Sequence, residues 1–396
     1  MRRGESVLRL FSMVLILFAC WSSTIGQSKQ IAESLRNWKA ITASAQSAPH
    51  LENYKFLFSF PHDDIVTCAA FSHDGRWLAT GSEAGTIIVV DLATQKQRKI
   101  EGLYPNGNGI NVVSFSDDGK LLLTGGWGHT DFKDTGLIKI LQTSDYSVVQ
   151  TLDTSQGHTV DFLSISNDNK WLISADESKI NVWDFQAKRI IRTIPRLDAK
   201  LFFDGVRTLV MGIGVTNESD SVMFRRSVPS GSIVFVDIVD GEIKKEIRTV
   251  SPKPIRGLAV VSGSDQLVVL AQTDQSYVVH LVDGRHDKIL KSISIKPYQP
   301  EPGYRLIGSP RIDFGISANY HVAFYNDRRV TYLIDYDAGR VSSFEHRSQV
   351  GFSFDNAGKR FAVLGGINNA ALTGMPSQNY WTVSVFSFDP TTTTKP

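Results

Sequence analysis

The chain has 396 residues, of which 42% are hydrophobic and 21% charged, so it carries ample apolar material for a core and lacks a disordered composition. Its 42 basic and 40 acidic residues leave a formal charge of +2 and are interspersed, which argues against nucleic acid as a partner, since that needs a basic face or arm. The two cysteines are Cys20 and Cys68; Cys20 sits in the leading segment, so an internal disulfide framework is excluded and Cys68 reads as a buried, inert thiol in an apolar strand.

Residues 1–26 open with Arg2, Arg3 and Arg9, continue into the apolar run Leu10 to Ala19, and end in small and polar residues. This is the layout of a secretory signal cut after Gly26, and the run is too short to span a bilayer. A second reading stays open, in which Leu17-Phe18-Ala19-Cys20 resembles a bacterial lipobox and Cys20 becomes a lipidated N-terminus. Either way the expectation is an exported protein, periplasmic or extracellular, held at a membrane only if Cys20 is lipidated. Residues 27–52 read as a polar linker, with Ile31, Leu35 and Trp38 on one side of a possible short helix.

From Asn53 to Pro390 the chain repeats. Ile65 to Ser82 is followed by Gly85 to Asp91, Ile110 to Gly126 by Gly136 to Leu141, and Phe162 to Ser174 by Lys179 to Asp184. Phe71 to Phe115 is 44 positions and Phe115 to Ile165 is 50, a period of the kind that gives one four-stranded blade per repeat, about 40 to 50 residues. Short β-rich runs meet at Asp74-Gly75, Asp118-Gly119 and Asp168-Asn169, pairs that tolerate the left-handed backbone of a tight hairpin. A single such sheet cannot bury both of its faces, so the units must stack around an axis.

These segments resemble the WD-repeat family. Phe71-Ser72-His73-Asp74-Gly75 and Phe115-Ser116-Asp117-Asp118-Gly119 look like its Phe-Ser-Pro-Asp-Gly hairpin, and Gly157-His158 precedes Trp183-Asp184 by 24 residues, matching its Gly-His to Trp-Asp frame. Departures occur where Pro61-His62 replaces Gly-His and Val90-Asp91 replaces Trp-Asp. Ala84 and Glu177 stand where the family places a structural Asp, so its internal His-Asp hydrogen-bond network is expected to be incomplete. The resemblance implies a structural role for His158 within its blade.

Four weaker units follow, at Leu201 to Asp237, Ile255 to Asp283, Arg311 to Asp335 and Val350 to Phe386. The expected fold is all-β, a seven-bladed propeller of four-stranded antiparallel blades over residues 53–390, with a disordered tail at 391–396. The last unit lacks an outer strand and Tyr54 to Phe60 is a strand without a partner, so the N-terminal strand is expected to close the last blade. An eight-bladed ring is the alternative.

Three connections between second and third strands are enlarged, at Trp127 to Thr135, Ile213 to Ser230 and Ile367 to Tyr380, and all should leave one face of the ring, joined there by the inter-blade connections at Tyr104 to Gly109 and Pro297 to Pro310. Binding residues concentrate on loops held by a rigid scaffold. The candidates are Trp127, His129, Asp131, Arg225, Arg226, Asn368, Asn369 and Tyr380, because Trp, Tyr and Arg are favoured anchors of recognition surfaces. No zinc, haem, phosphate-loop or nucleophile-elbow motif occurs, so no catalytic residue, metal ligand or cofactor is assigned. The expected function is a monomeric, non-enzymatic scaffold that presents this face to another protein or a peptide. The alternative is a propeller hydrolase or lactonase with a metal or activated water at the channel mouth. Asn217-Glu218-Ser219 fits a glycosylation acceptor in a eukaryotic secretory route.

Overall fold

The computed structural model describes residues 54–104, 109–130, 133–154, 159–196, 199–213, 231–248, 255–261, 264–272, 276–295, 314–316, 322–327, 330–335, 340–345, 351–365 and 381–388. The expected signal segment, linker and tail lie outside them. Every regular element among the described residues is a strand.

Strand β1 (Tyr54–Pro61) stands apart from the elements that follow it in sequence. The first sheet contains β2 (Val66–Phe71), β3 (Trp77–Ser82), β4 (Ile87–Asp91) and β5 (Gln97–Ile100), in that order. The second contains β6 (Ile110–Phe115), β7 (Leu121–Thr130), β8 (Lys133–Gln142) and β9 (Val148–Asp153), and the third β10 (Phe162–Ile165), β11 (Trp171–Ala175), β12 (Lys179–Asp184) and β13 (Arg189–Pro195). The fourth is β14 (Lys200–Phe203), β15 (Thr208–Gly212), β16 (Ile233–Asp237) and β17 (Ile243–Ile247). The fifth is β18 (Ile255–Val260), β19 (Gln266–Gln272), β20 (Tyr277–Asp283) and β21 (Lys288–Ile295), and the sixth β22 (Phe314–Ile316), β23 (Val322–Asp327), β24 (Val330–Asp335) and β25 (Arg340–Glu345).

Those six sheets are each built from four consecutive strands. A further four-stranded sheet is composite: β26 (Phe352–Phe354), β27 (Arg360–Leu364) and β28 (Thr382–Phe388) are completed by β1, which pairs antiparallel with β28 from Tyr54 opposite Phe388 to Pro61 opposite Thr382. Phe56 meets Phe386 edge-on at 5.7 Å and Phe361 stacks on Phe386 at 5.0 Å, so aromatic contacts bind the two ends of the chain.

The sheets stack in a circle. Innermost strands touch in the pairs β2 and β6, β6 and β10, β14 and β18, β18 and β22, β22 and β26, and β26 and β2. The third and fourth sheets share a core of Ile173, Val182, Phe203, Leu209 and Val236. A strand sandwiched between neighbouring sheets loses both faces to the core, and β4, Ile-Ile-Val-Val-Asp, is buried at every position. The outer strand β5, Gln-Arg-Lys-Ile, is exposed along most of its length.

Turn chemistry recurs from sheet to sheet. Ser72, Ser116 and Ser166 each donate from Oγ to the carboxylate two residues on, Asp74, Asp118 and Asp168, all at 2.6 Å. Gly75, Gly119 and Asn169 then take the left-handed backbone that closes the hairpin. At the turn into the outer strand, Asp91, Asp237 and Asp283 accept from the amides two and three residues on. The residue four positions after each, Gln95, Gly241 and Asp287, has positive φ.

Neighbouring sheets are also stitched at the rim. Arg98 donates to the Asp145 carbonyl, Gln150 to Phe185, Arg192 to Val239 and Lys245 to Gly284, each from an outer strand to the outer turn of the next sheet. These bonds satisfy turn carbonyls that would otherwise rely on water.

Candidate functional site

Antiparallel order puts the turns between first and second strands, and between third and fourth, at one end of every sheet. The connections between second and third strands, and those from sheet to sheet, emerge at the other end, and the sequence candidates belong there.

Trp127 lies in β7 with 39% of its surface exposed. His129 is also in β7, opposite Asp134 of β8. The His129 side chain and residues Asp131, Arg225, Arg226, Asn368, Asn369 and Tyr380 lie outside the described residues.

The segment from Trp127 to Thr135 is not the loop that the sequence suggested. β7 and β8 stay paired as far as Thr130 opposite Lys133, so most of the insertion is an extension of the two strands. Trp127 and Thr130 suit an extended backbone. Gly126 lets the hairpin pass under the preceding connection: a Cβ there would stand 2.2 Å from the Gly109 carbonyl oxygen.

A second exposed tryptophan was missed. Trp381, 42% exposed, immediately precedes β28 at the same end of the ring. Its neighbour Tyr380 was a candidate, and the Tyr-Trp pair closing a long insertion was the available signal.

A run of backbone contacts joins the two tryptophans across the first sheet. The His62 amide donates to the Trp381 carbonyl at 2.6 Å, and the Glu83 amide to Ile65 at 2.9 Å. Gly109 packs on the Glu83 backbone, and the Trp127 amide donates to Gly109 at 3.3 Å. Along this strip lie Asp63, Asp64, Glu83 and Glu101, against a single Lys99 that pairs with Asp63 at 3.4 Å and Glu101 at 2.7 Å. Burial opposes the Asp63 charge, but hydrogen bonds from Thr86 and His62 outweigh it and hold the carboxyl at about 2, so this acid is ionised throughout the neutral range.

Beneath the strip, His62 Nδ1 lies 3.0 Å from Asp63 Oδ1 and Nε2 lies 3.2 Å from Thr80 Oγ1. The order carboxylate, imidazole, hydroxyl is that of a nucleophilic triad. Here it is a brace. Thr80 is fully buried and its hydroxyl donates to the Ile88 carbonyl at 3.2 Å, so no substrate reaches it. Burial pushes the His62 pKa down despite the neighbouring Asp63.

The next two sheets solve the same problem with other groups. Tyr104 OH meets Thr124 Oγ1 at 2.8 Å, with Thr124 donating to the Lys139 carbonyl at 3.2 Å. In the third sheet Trp183 Nε1 donates to Ser174 Oγ at 2.8 Å. In the first sheet Asp63 supplies a carboxylate to His62 and Thr86, and in the third Asp176, 4% exposed, accepts from the Ser178 and Lys179 amides. His158 lies outside the described residues. Cys68 is half-buried rather than buried, its Sγ 3.8 Å from the Ile110 carbonyl between the first two sheets.

Among the described residues no group of three or more His, Cys, Asp or Glu side chains could hold a metal ion. The hydrolase alternative therefore draws no support from them.

Three segments, 54–91, 98–130 and 147–184, match the family described as WD domain, G-beta repeat. The small ribosomal subunit protein RACK1 of Medicago sativa is 27% identical over 186 residues, 46% of this chain and 53% of that protein. RACK1y of Oryza sativa subsp. japonica, also a small ribosomal subunit protein, is 29% identical over 136 residues, 34% of this chain and 37% of that protein. The guanine nucleotide-binding protein subunit beta of Zea mays is 27% identical over 137 residues, 33% of this chain and 35% of that protein. The chain thus spans about half or less of the length of these curated relatives, and the matches support a WD-repeat propeller.

Proposed function

We propose that this propeller is a non-catalytic interaction scaffold whose partner is another polypeptide, bound at the end of the ring that carries Trp127 and Trp381. The observation that carries this reading is the pair of exposed tryptophans joined by one continuous strip over the first sheet. Tryptophans held on a rigid scaffold supply contact area with little ordering cost, which is what anchors of recognition surfaces do. The relatives add weight: by name they are a ribosomal-subunit protein and a subunit of a guanine nucleotide-binding protein, both parts of larger assemblies. With Asp63, Asp64, Glu83 and Glu101 against Lys99, the strip suits a cationic partner segment, and binding should weaken as salt rises.

The test is quantitative affinity capture with the full chain, comparing a Trp127→Ala, Trp381→Ala double variant with an Arg76→Ala, Lys120→Ala double variant at the opposite end of the ring. The reading expects the tryptophan variant to lose its partner about tenfold or more while the other keeps it. Equal recovery by both overturns it.

Export is the second part of the proposal, resting on residues 1–26. N-terminal sequencing of the mature protein reads Gln27 first if a signal is cut after Gly26. An acylated Cys20 marks the lipoprotein route, and an intact Met1 would refute export by either.

A further inference from the structure

The outer strand of each sheet presents one edge to solvent, a row of backbone donors and acceptors that can template another strand. Proteins guard such edges with lysine, arginine or proline. Among the described outer strands, β1 carries Lys55, β5 Arg98 and Lys99, β13 Arg189 and Arg192, β17 Lys244 and Lys245, β21 Lys288 and Lys291, and β25 Arg340. β9 carries none: it reads Val-Val-Gln-Thr-Leu-Asp, bonded to β8 on its inner side, with no described strand on the other. Val148 and Val149 are 41% and 48% exposed.

We propose that β9 is a pairing edge at which two copies of this chain join, strand to antiparallel strand. Centred on Gln150, self-pairing sets Val148 opposite Leu152 and Val149 opposite Thr151, with Gln150 facing its own copy and Asp153 facing Ser147. Aliphatic and β-branched residues meet across the seam, and no two like charges oppose. A second copy is therefore the occupant that the sequence of this edge fits without alteration.

The edge is also held ready. Leu152 is 4% exposed in the core shared with the third sheet, and Gln150 is pinned by its bond to the Phe185 carbonyl at 3.4 Å. Little ordering remains to oppose pairing. A six-residue seam is small against the roughly 1,000 Å² of a stable interface, so the dimer is weak and concentration-dependent.

The test is sedimentation equilibrium of the full chain over about two decades of concentration. Wild type should move toward dimer, and Val149→Lys should raise the dissociation constant about tenfold or more without lowering the melting temperature. Val148→Lys serves as the second variant should the first fold poorly. Leu290→Lys, placing the same charge on the guarded edge β21, should leave the dimer intact. A wild type that stays monomeric, or a dimer indifferent to both β9 variants, overturns the proposal. Neither result touches the reading of the tryptophan-bearing end, which the capture experiment judges separately.

Discussion

At one end of the ring the connections are short and nearly interchangeable: 72–76, 116–120, 166–170 and 355–359 lead from first to second strands, and 92–96, 143–147, 185–188 and 238–242 lead into outer strands. At the other end they run from 131–132 in the second sheet to 213–232 in the fourth and 365–381 in the last. The uniform end repeats one solution, a carboxylate capping a turn that closes through a left-handed residue, and its hairpins touch. Asn169 Nδ2 donates to Asp118 at 3.2 Å, and Asn356 lies 2.8 Å from His73 Nδ1. The variable end contributes fewer such repeats and carries the exposed tryptophans. Stability is thus concentrated where the turns are alike, which leaves the other end free to vary.

The sharpest challenge to that contrast is Asp355→Ala. Asp355 is 2% exposed, accepts from the Lys359 and Arg360 amides, and pairs with Arg360, which itself reaches the Gly75 carbonyl of the first sheet. Its loss should cost about 3 kcal/mol in denaturant unfolding, because a buried turn and a half-buried guanidinium lose their acceptor together. Gly205→Ala should cost about 2 kcal/mol, since φ is +77° and the new Cβ would fall 2.1 Å from the Asn167 side-chain amide.

His62 qualifies the contrast, because it stabilises the variable end. Its folded pKa is depressed, so above about 6.5 both folded and unfolded states are neutral and its contribution is complete. As pH falls through 6.5 toward the folded value, the unfolded chain takes up the proton first and stability declines. Melting temperatures should show this slope in wild type and a shallower one in His62→Gln. Trp127→Ala should alter stability by less than about 0.5 kcal/mol while weakening partner capture. The smallest effect belongs to Lys188→Gly, which relieves a φ of +55° in an outer turn and should be neutral or stabilising by about 0.5 kcal/mol.

The uniform end was legible in the sequence because its chemistry is local. Asp74-Gly75 and Asp118-Gly119 specify a turn within a few residues, and Asp91 and Asp237 mark the ends of third strands wherever they occur. What depended on contacts between sheets was not. The Trp127 hairpin read as a loop because its glycines suggest irregularity, whereas Gly126 is small to clear Gly109 in the adjoining connection. Ala84 and Glu177 marked an absent carboxylate, but no local signal showed that Asp63, far from both in sequence, would bond to His62 and Thr86. Trp381 stood beside a chosen residue, and its own exposure, 42%, is a property of the fold rather than of the local sequence.

Pairing of β1 with β28 also sets an order in time. A chain made from its N-terminus produces Tyr54 to Pro61 first and the strand that receives it last, with nearly the whole ring between them. Until Thr382 to Phe388 is available, Phe56, Phe58 and Phe60 have no sheet to join, and this pairing, the most distant in sequence among the described residues, must form late and slowly. Until its final strand is made, the last sheet therefore stays incomplete while the other six already have all of their strands.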